Sequence, residues 1–246
     1  MVTVAYNTTS LLTRCVESVR RFHPEMKMII IDGSDDEFQV SSAKTDLFQK
    51  RREPIEGESC RKYVRTLRNE YTTVIECPTN IGHGRGMDMA IRMCTTRFAL
   101  IFDSDIEMVK SPVQEMLDMM EEDTFGVGYL EKTGLDGYEY GAHPRHRNQD
   151  FMMMMHPFFH LLQVPNYVKY HPYVHHGAPC YKTALDIHRK GLSNKILKVF
   201  PGLGHTGGKG WCWSPVPGEH IKHRTAGTRE FRRKMGKQEI EQGWER

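Results

Sequence analysis

Two aspartates one residue apart, Asp103 and Asp105, close an apolar run in "ALIFDSDIEM". Two carboxylates at that spacing, on the turn leaving a strand, point into one cleft. They repel unless a cation or hydrogen-bond donors neutralise them. A hard divalent ion, Mn²⁺ or Mg²⁺, does this, and a nucleotide diphosphate completes its coordination. The plain alternative is an acidic turn exposed to solvent. The four apolar residues before Asp103 favour chemistry, because they read as a strand buried on both faces. A second feature is "PGLGHTGGKGW", which sets His205 and Lys209 in a glycine-rich loop. Glycines let backbone approach a ligand closely, and a neutral imidazole ligates a borderline ion such as Mn²⁺. With 13 histidines in the chain, an incidental histidine on a surface turn is the plain alternative.

These side chains need a scaffold, and the first half supplies a regular one. Residues 2–6, VTVAY, read as a strand. Thr8, Thr9 and Ser10 offer capping oxygens to a helix with Leu11, Leu12, Cys15, Val16, Val19 and Phe22 at helical spacing. "MKMIIID" reads as a buried strand ending at Asp32, "GSDD" as a turn, and 37–70 as a loop with one or two short helices. "YTTVIEC" is a third strand. "PTNIGHG" breaks the chain before a helix carrying Met87, Ala90, Ile91 and Cys94, and "RFALIF" is a fourth strand. Ser111 and Pro112 read as N-cap and N1 of a helix with Val113, Met116, Leu117 and Met120. This alternation predicts an α/β fold, a mostly parallel sheet flanked by helices. Ligands bind outside the carboxyl ends of such strands. Asn7, Asp32, Asn80 and Asp103 lie at or just past them.

The second half is less regular. "TFGVGYLE" reads as a strand and 133–150 as a loop. "FMMMMHPFFHLL" reads as a helix or helix pair that packs or lines a pocket. "YVHHGAPCYK" is strand-like, 183–190 helix-like, and "KILKVF" a late strand. No internal repeat is visible. The chain has 26% charged and 39% hydrophobic residues, a globular composition, and a formal charge of +3, too small to argue for nucleic acid. No apolar run reaches membrane-spanning length, so no transmembrane segment is expected. Met1 leads directly into the first strand, which leaves no room for a signal peptide. The six cysteines are scattered without a C-x-x-C pair, which predicts reduced thiols and a cytoplasmic location.

The segments, in order, resemble the GT-A glycosyltransferases, family 2 in particular. "VTVAYN" is similar to that family's V-S-V-I-I-P-T-Y-N, "IIIDGSDD" to V-D-D-G-S-x-D, "NIGHGRGMDMAI" to N-x-G-x-x-x-A-R-N-x-G, and "FDSD" to D-x-D. The likeness covers roughly the first 110 residues. It implies a single GT-A (Rossmann-like) domain over 1–217, with a nucleotide-sugar half at 1–125 and an acceptor half at 126–217. A charged C-terminal helix or tail at 218–246 follows. It implies that Asp105 ligates Mn²⁺ or Mg²⁺, and that Asp103 holds the ribose or reaches the metal through water. Ala5 and Tyr6 would meet the nucleoside, Asp32 the base, and Asn80 the nucleotide sugar. The chain departs from the pattern in having one acid before G-S, and Met87-Asp88 where the family has Arg-Asn. Arg85 would then supply the cation for the diphosphate. The resemblance makes His205 a third metal ligand. "HTGGKGW" is also similar to a shortened H-x-x-G-x-x-K-P-W of family 8, which puts Lys209 on the diphosphate.

The activity so implied is metal-dependent transfer from a nucleotide-sugar donor, a UDP-sugar, to an acceptor hydroxyl. Family 2 similarity favours inversion. The acceptor stays open among a glycan, a lipid-linked sugar and a modified nucleic acid. Two rival functions remain: a DNA-modifying glycosyltransferase, and an inactive nucleotide-sugar-binding module. An inverting transferase needs a base for the acceptor proton. The family's E-D pair does not occur in "LSNKILKVF". "YVHHGAPCYKTALDIHRKG" resembles the family stretch that puts Gly177 and Ala178 near the sugar pocket. The candidate bases are Asp136, Glu139, Asp150, Asp186 and His176.

Overall fold

The structure is a computed structural model that describes residues 1–34, 60–137, 150–174, 178–203 and 219–223. β1 (Val2–Ala5) leads into α1 (Thr9–Phe22), which buries Leu12, Cys15, Val16, Ser18 and Val19 on one side. Thr8 holds the N-cap position, but its side chain makes no capping bond. Then come β2 (Met28–Asp32), α2 (Cys60–Thr66), β3 (Thr72–Glu76), α3 (His83–Met93) and β4 (Phe98–Phe102). These strands pair in parallel in the order β3-β2-β1-β4. Ala5 stands opposite Asp32, and Asp32 opposite Glu76, so three strands finish level. The turns that carry Asn7, Asn80 and Asp103 therefore open at one edge of the sheet. α3 lies tight against it: a Cβ at Gly86 would come within 2.9 Å of Val4 Cγ2. Glycine there lets the helix sit close enough to bring His83 beside the end of β4.

The rest of the chain is β5 (Ile106–Met108), α4 (Val113–Asp118), β6 (Gly126–Gly134), β7 (Phe151–Gln163), α5 (Val164–Tyr167), α6 (Tyr181–Arg189), α7 (Ser193–Ile196), β8 (Leu197–Val199) and β9 (Ile221–His223). The main sheet has seven strands in the order β3-β2-β1-β4-β7-β6-β8. β7 runs antiparallel to β4 and β6, and β8 parallel to β6. β5 and β9 form a small antiparallel pair. One apolar layer joins α1, α2 and α4 to one face of the main sheet, and a second joins α3, α5, α6 and α7 to the other. The expected α/β architecture, a mostly parallel sheet flanked by helices, is the observed one. No described helix is long and apolar enough to cross a membrane. Cys15, Cys60, Cys77, Cys94 and Cys180 are free thiols.

Four expectations need correction. "FMMMMHPFFHLL" is not a helix or helix pair; it lies in strand β7. β7 is central and covered on both faces, which erases the alternation that would have marked it as a strand. Pro157 sits where the β6–β7 register shifts, between the pairs Gly128–His160 and Leu130–Met155. The ladder is interrupted there, so the missing N–H is tolerated. "YVHHGAPCYK" is not a strand where it is described: 173–174 are irregular, 178–180 form a turn and α6 begins at Tyr181. Pro179 within it opposes continuous pairing. Pro112, not Ser111, is the N-cap of α4, and Ser111 Oγ accepts from Val113 N at 3.3 Å. Within the expected terminal helix or tail, Ile221–His223 is strand β9. Residues 224–246 lie outside the described residues.

Candidate functional site

The end of β4 is pinned before it turns. Asp103 N donates to Phe158 O at 3.0 Å, which ties the turn to β7. Two residues on, β5 pairs with β9, and Ile106 stands opposite His223. That ladder delivers an imidazole to the acidic pair. His223 Nε2 lies 3.2 Å from Asp105 Oδ1 and 3.6 Å from Asp103 Oδ2. The His223 ring stacks on Phe158 at 5.0 Å and meets His156 edge-on at 6.4 Å. From the other side α3 places His83 Nε2 3.0 Å from Asp103 Oδ1.

Burial works against charge on His223, His83 and Asp103. For His223, the hydrogen bond to Asp105 and both carboxylates outweigh burial and raise it above the ordinary histidine value. His83 is raised in the same way, burial being outweighed by Asp103 and Asp105. Burial alone would raise the Asp103 carboxyl. His83, His223 and His156 instead hold it well below the usual carboxylate range. Asp103 and the imidazoles of His83 and His223 thus favour one another's charged forms. Donor atoms of Asp103, Asp105 and His223 all lie within 4.8 Å of one another. Two carboxylates and an imidazole suit Mn²⁺, and the carboxylates suit Mg²⁺. A divalent ion at these oxygens would replace the imidazole protons as counter-charge. The donor set thus fits such an ion.

The sequence profile of the family described as Glycosyl transferase family 2 matches residues 57–186, more than half of the 246-residue chain. The chain belongs to glycosyl transferase family 2. Solved structures show where this family 2 chain's fold recurs. GalNAc-T7 with UDP, GalNAc and Mn²⁺ superposes with a TM-score of 0.55 at 13% identity, covering 90% of this chain and 42% of that one. Galactosyltransferase LgtC with donor and acceptor sugar analogs gives 0.50 at 12%, covering 91% and 86%. The mannosyltransferase PcManGT from Pyrobaculum calidifontis, with GDP-Man and Mn²⁺, gives 0.49 at 12%, covering 81% and 55%. The family 2 chain spans about half the length of GalNAc-T7 and PcManGT. At such identities the likeness shows the GT-A fold. No curated protein matches the chain by sequence.

The structure of this family 2 chain gathers some of the sequence candidates and leaves others apart. Asp103 and Asp105 meet as expected. Ala5, buried opposite Asp32, ends β1, and Tyr6 follows it. Asn7 follows with a positive φ of 51° and donates its N–H to Ser34 Oγ at 2.9 Å. Asp32, expected to face the base, is fully buried. It takes Arg61 Nε on Oδ2 at 3.2 Å and Ser34 N on Oδ1 at 3.0 Å. Arg61 also donates to Cys77 O at 2.6 Å. Asp32 thus braces the end of β2 against β3. Asn80 Oδ1 accepts from Gly82 N at 2.9 Å and shapes the turn that opens α3. Arg85 is exposed in the first turn of α3.

Among the candidate bases, Asp186 lies on α6, where it accepts from His171 N at 3.2 Å and pairs with Lys190 at 3.1 Å. Asp136 sits in the turn after β6, and Asp150 is exposed just before β7. Glu139, His176, His205 and Lys209 lie outside the described residues. Sequence reasoning missed His83 and His223. The signal for His223 was short: Ile221, Lys222 and His223 alternate buried, exposed, buried, which is strand periodicity within a charged segment.

Proposed function

We propose that this chain moves a glycosyl group from a nucleoside-diphosphate sugar, a UDP-sugar, to an acceptor hydroxyl with inversion. The observation that carries the reading is the Asp103, Asp105 and His223 set at the carboxyl edge of the parallel strands. In this reading Asp105 and His223 hold Mn²⁺ or Mg²⁺, and Asp103 completes the set or turns to the ribose. The bound ion offsets charge growing on the leaving diphosphate, a Lewis-acid role.

The chain's own groups do the rest. Ala5 and Tyr6 border the nucleoside, and the Asp32–Arg61 pair keeps the neighbouring strand ends in place. Asn80 fixes the turn into α3. The first turn of α3 presents His83 and Arg85 to the diphosphate, where helix N-terminal N–H groups favour an anion. On the family resemblance alone, His205 joins as a further metal ligand and Lys209 as a diphosphate contact. Residues 1–125 form the nucleotide-sugar half and 126–217 the acceptor half. The acceptor is a hydroxyl of a glycan, a lipid-linked sugar or a modified nucleic acid. The free thiols support a reducing, cytoplasmic location.

A panel of nucleotide sugars with Mn²⁺, read by released nucleotide, tests the reading. The expected result is turnover of at least one UDP-sugar that Asp105→Ala abolishes. Turnover that survives Asp105→Ala contradicts it.

A further inference from the structure

We propose that His220 is a positioning residue for the metal site: its ring clasps the start of β9 to the turn after β8 and so sets His223 against Asp103 and Asp105. This rests on the glycosyl-transfer reading above and names what holds the third member of that set in place.

β9 is too short to hold itself. It has three residues, and among the described residues it pairs with β5, which also has three. A two-stranded ribbon of that size is at best marginal in water. Lys222 in its middle is exposed, so Ile221 and His223 are the residues that face the protein. Ile221 is fully buried in the apolar layer that includes Met108, Met116 and Phe200. Apolar contact is non-directional. The direction of β9 therefore depends on polar contacts at its ends.

His220 supplies them at the near end. The chain bends at 219–220, just before β9, and His220 is 4% exposed. Its backbone O accepts Val109 N at 2.7 Å and Lys110 N at 3.2 Å, which carries the pairing with β5 one step further. Its ring reaches a different element. Nδ1 lies 3.2 Å from Gly202 O, and because a carbonyl only accepts, Nδ1 is the donor. The ring meets Phe200 edge-on at 5.4 Å. Nε2 lies 3.5 Å from Glu115 Oε1 on α4.

The seat of this ring is close-fitting and anchored. A Cβ at Gly202 would stand 2.5 Å from Nδ1 and 2.7 Å from Cε1, so glycine there makes room for the imidazole. Phe200 N donates to Gly128 O at 2.9 Å, which ties the seat to β6 in the main sheet. Met108 N donates to Ser18 Oγ at 2.9 Å, which ties β5 to α1. His220 thus joins β9 to the main sheet about 10 Å of strand away from His223. Without the clasp β9 is free to shift, and His223 Nε2, now 3.2 Å from Asp105 Oδ1, shifts with it.

The test uses the full chain as wild type, His220→Ala, His220→Asn and His220→Gln, with His223→Ala alone and combined with His220→Ala. Mn²⁺ affinity in the presence of UDP is read by electron paramagnetic resonance. Hydrogen exchange of the Val109 and Lys110 amides is read by NMR without metal. An Asn amide donates from the place of Nδ1, whereas a Gln amide reaches the place of Nε2. The expected result is a loss of Mn²⁺ affinity of about 10-fold in His220→Ala and His220→Gln, with His220→Asn close to wild type. In the His223→Ala background His220→Ala causes no further loss, because it acts through His223. The two amides exchange about 10-fold faster in His220→Ala and His220→Gln. The comparison of Asn with Gln stands by itself if His220→Ala does not fold.

Wild-type Mn²⁺ affinity in His220→Ala and His220→Gln overturns the proposal. So does an equal loss in His220→Asn, or a loss that persists in the His223→Ala background, which would mark a general structural role. Unchanged exchange at Val109 and Lys110 removes the clasp and overturns it as well. A wild type that takes up no Mn²⁺ with UDP sinks the transfer reading and the proposal with it. The exchange measurement, which needs no metal, tells that failure from a missing clasp.

Discussion

The two ends of the sheet serve one cleft in different ways. At the parallel end, the residues that matter sit where the chain leaves a strand: Asn7, Asp32, Asn80 and Asp103. Towards the antiparallel end they sit inside strands: His156 and Phe158 on β7, and His223 on β9 of the separate β5–β9 pair. The parallel strands stop level, so their turns converge. The β6–β7 hairpin continues past that level, so its mid-strand side chains reach the same space. A strand-end residue announces itself through its own turn. A mid-strand residue acquires meaning only from the strand it faces.

Each end can be broken separately. The largest expected effect is at the parallel end. Arg61→Met leaves Asp32 as a buried carboxylate without its counter-ion, and should cost about 3–5 kcal/mol of stability in urea melts. If Arg61→Met is neutral, the pair does not brace the strand ends. Next comes acid sensitivity at the antiparallel end. Burial pushes His160 down from 6.5 to about 4. The unfolded chain therefore takes up this proton first, and stability falls as pH drops from 6.5 to 4, by up to roughly 3 kcal/mol. His83 and His223, whose values are raised, act in the opposite sense: their contribution is complete below 6.5 and is lost as pH rises through the folded values. Thermal melts of wild type and His160→Gln between pH 4 and 7 separate these, and only the wild type should show the acid slope.

Gly128→Ala sharpens the contrast further. Its Cβ would meet His160 Cβ at 2.6 Å and Phe159 O at 3.0 Å. It should cost about 1–3 kcal/mol and displace the hairpin, reducing turnover while leaving UDP affinity intact. Equal loss of both would mean that the two ends are not separable. A further break is His223→Ala, which removes a ligand and should weaken Mn²⁺ by at least the roughly 10–100-fold lost when a partner supporting a ligand is removed. Unchanged affinity would detach β9 from the site.

The same contrast explains what the sequence disclosed. "VTVAY", "MKMIIID", "YTTVIEC" and "RFALIF" were legible as strands because each is short, apolar and bounded by a turn. Asp103 and Asp105 were legible because polar residues directly after such a strand stand out. β7 was not, because a central strand buried on both faces shows no alternation and Met, Phe and Leu suit a helix equally well. His223 was obscured by the lysines and arginines around it, since pairing of β9 with β5 is a long-range event with no local signature.

The central claim is that Asp103, Asp105 and His223 hold a divalent ion together with a nucleoside diphosphate. Electron paramagnetic resonance of Mn²⁺ titrated into the chain with UDP tests it most directly. The account predicts that wild type removes the free-ion signal at one ion per chain when UDP is present, and that Asp105→Asn leaves the signal in solution. Equal Mn²⁺ uptake by wild type and Asp105→Asn would contradict it.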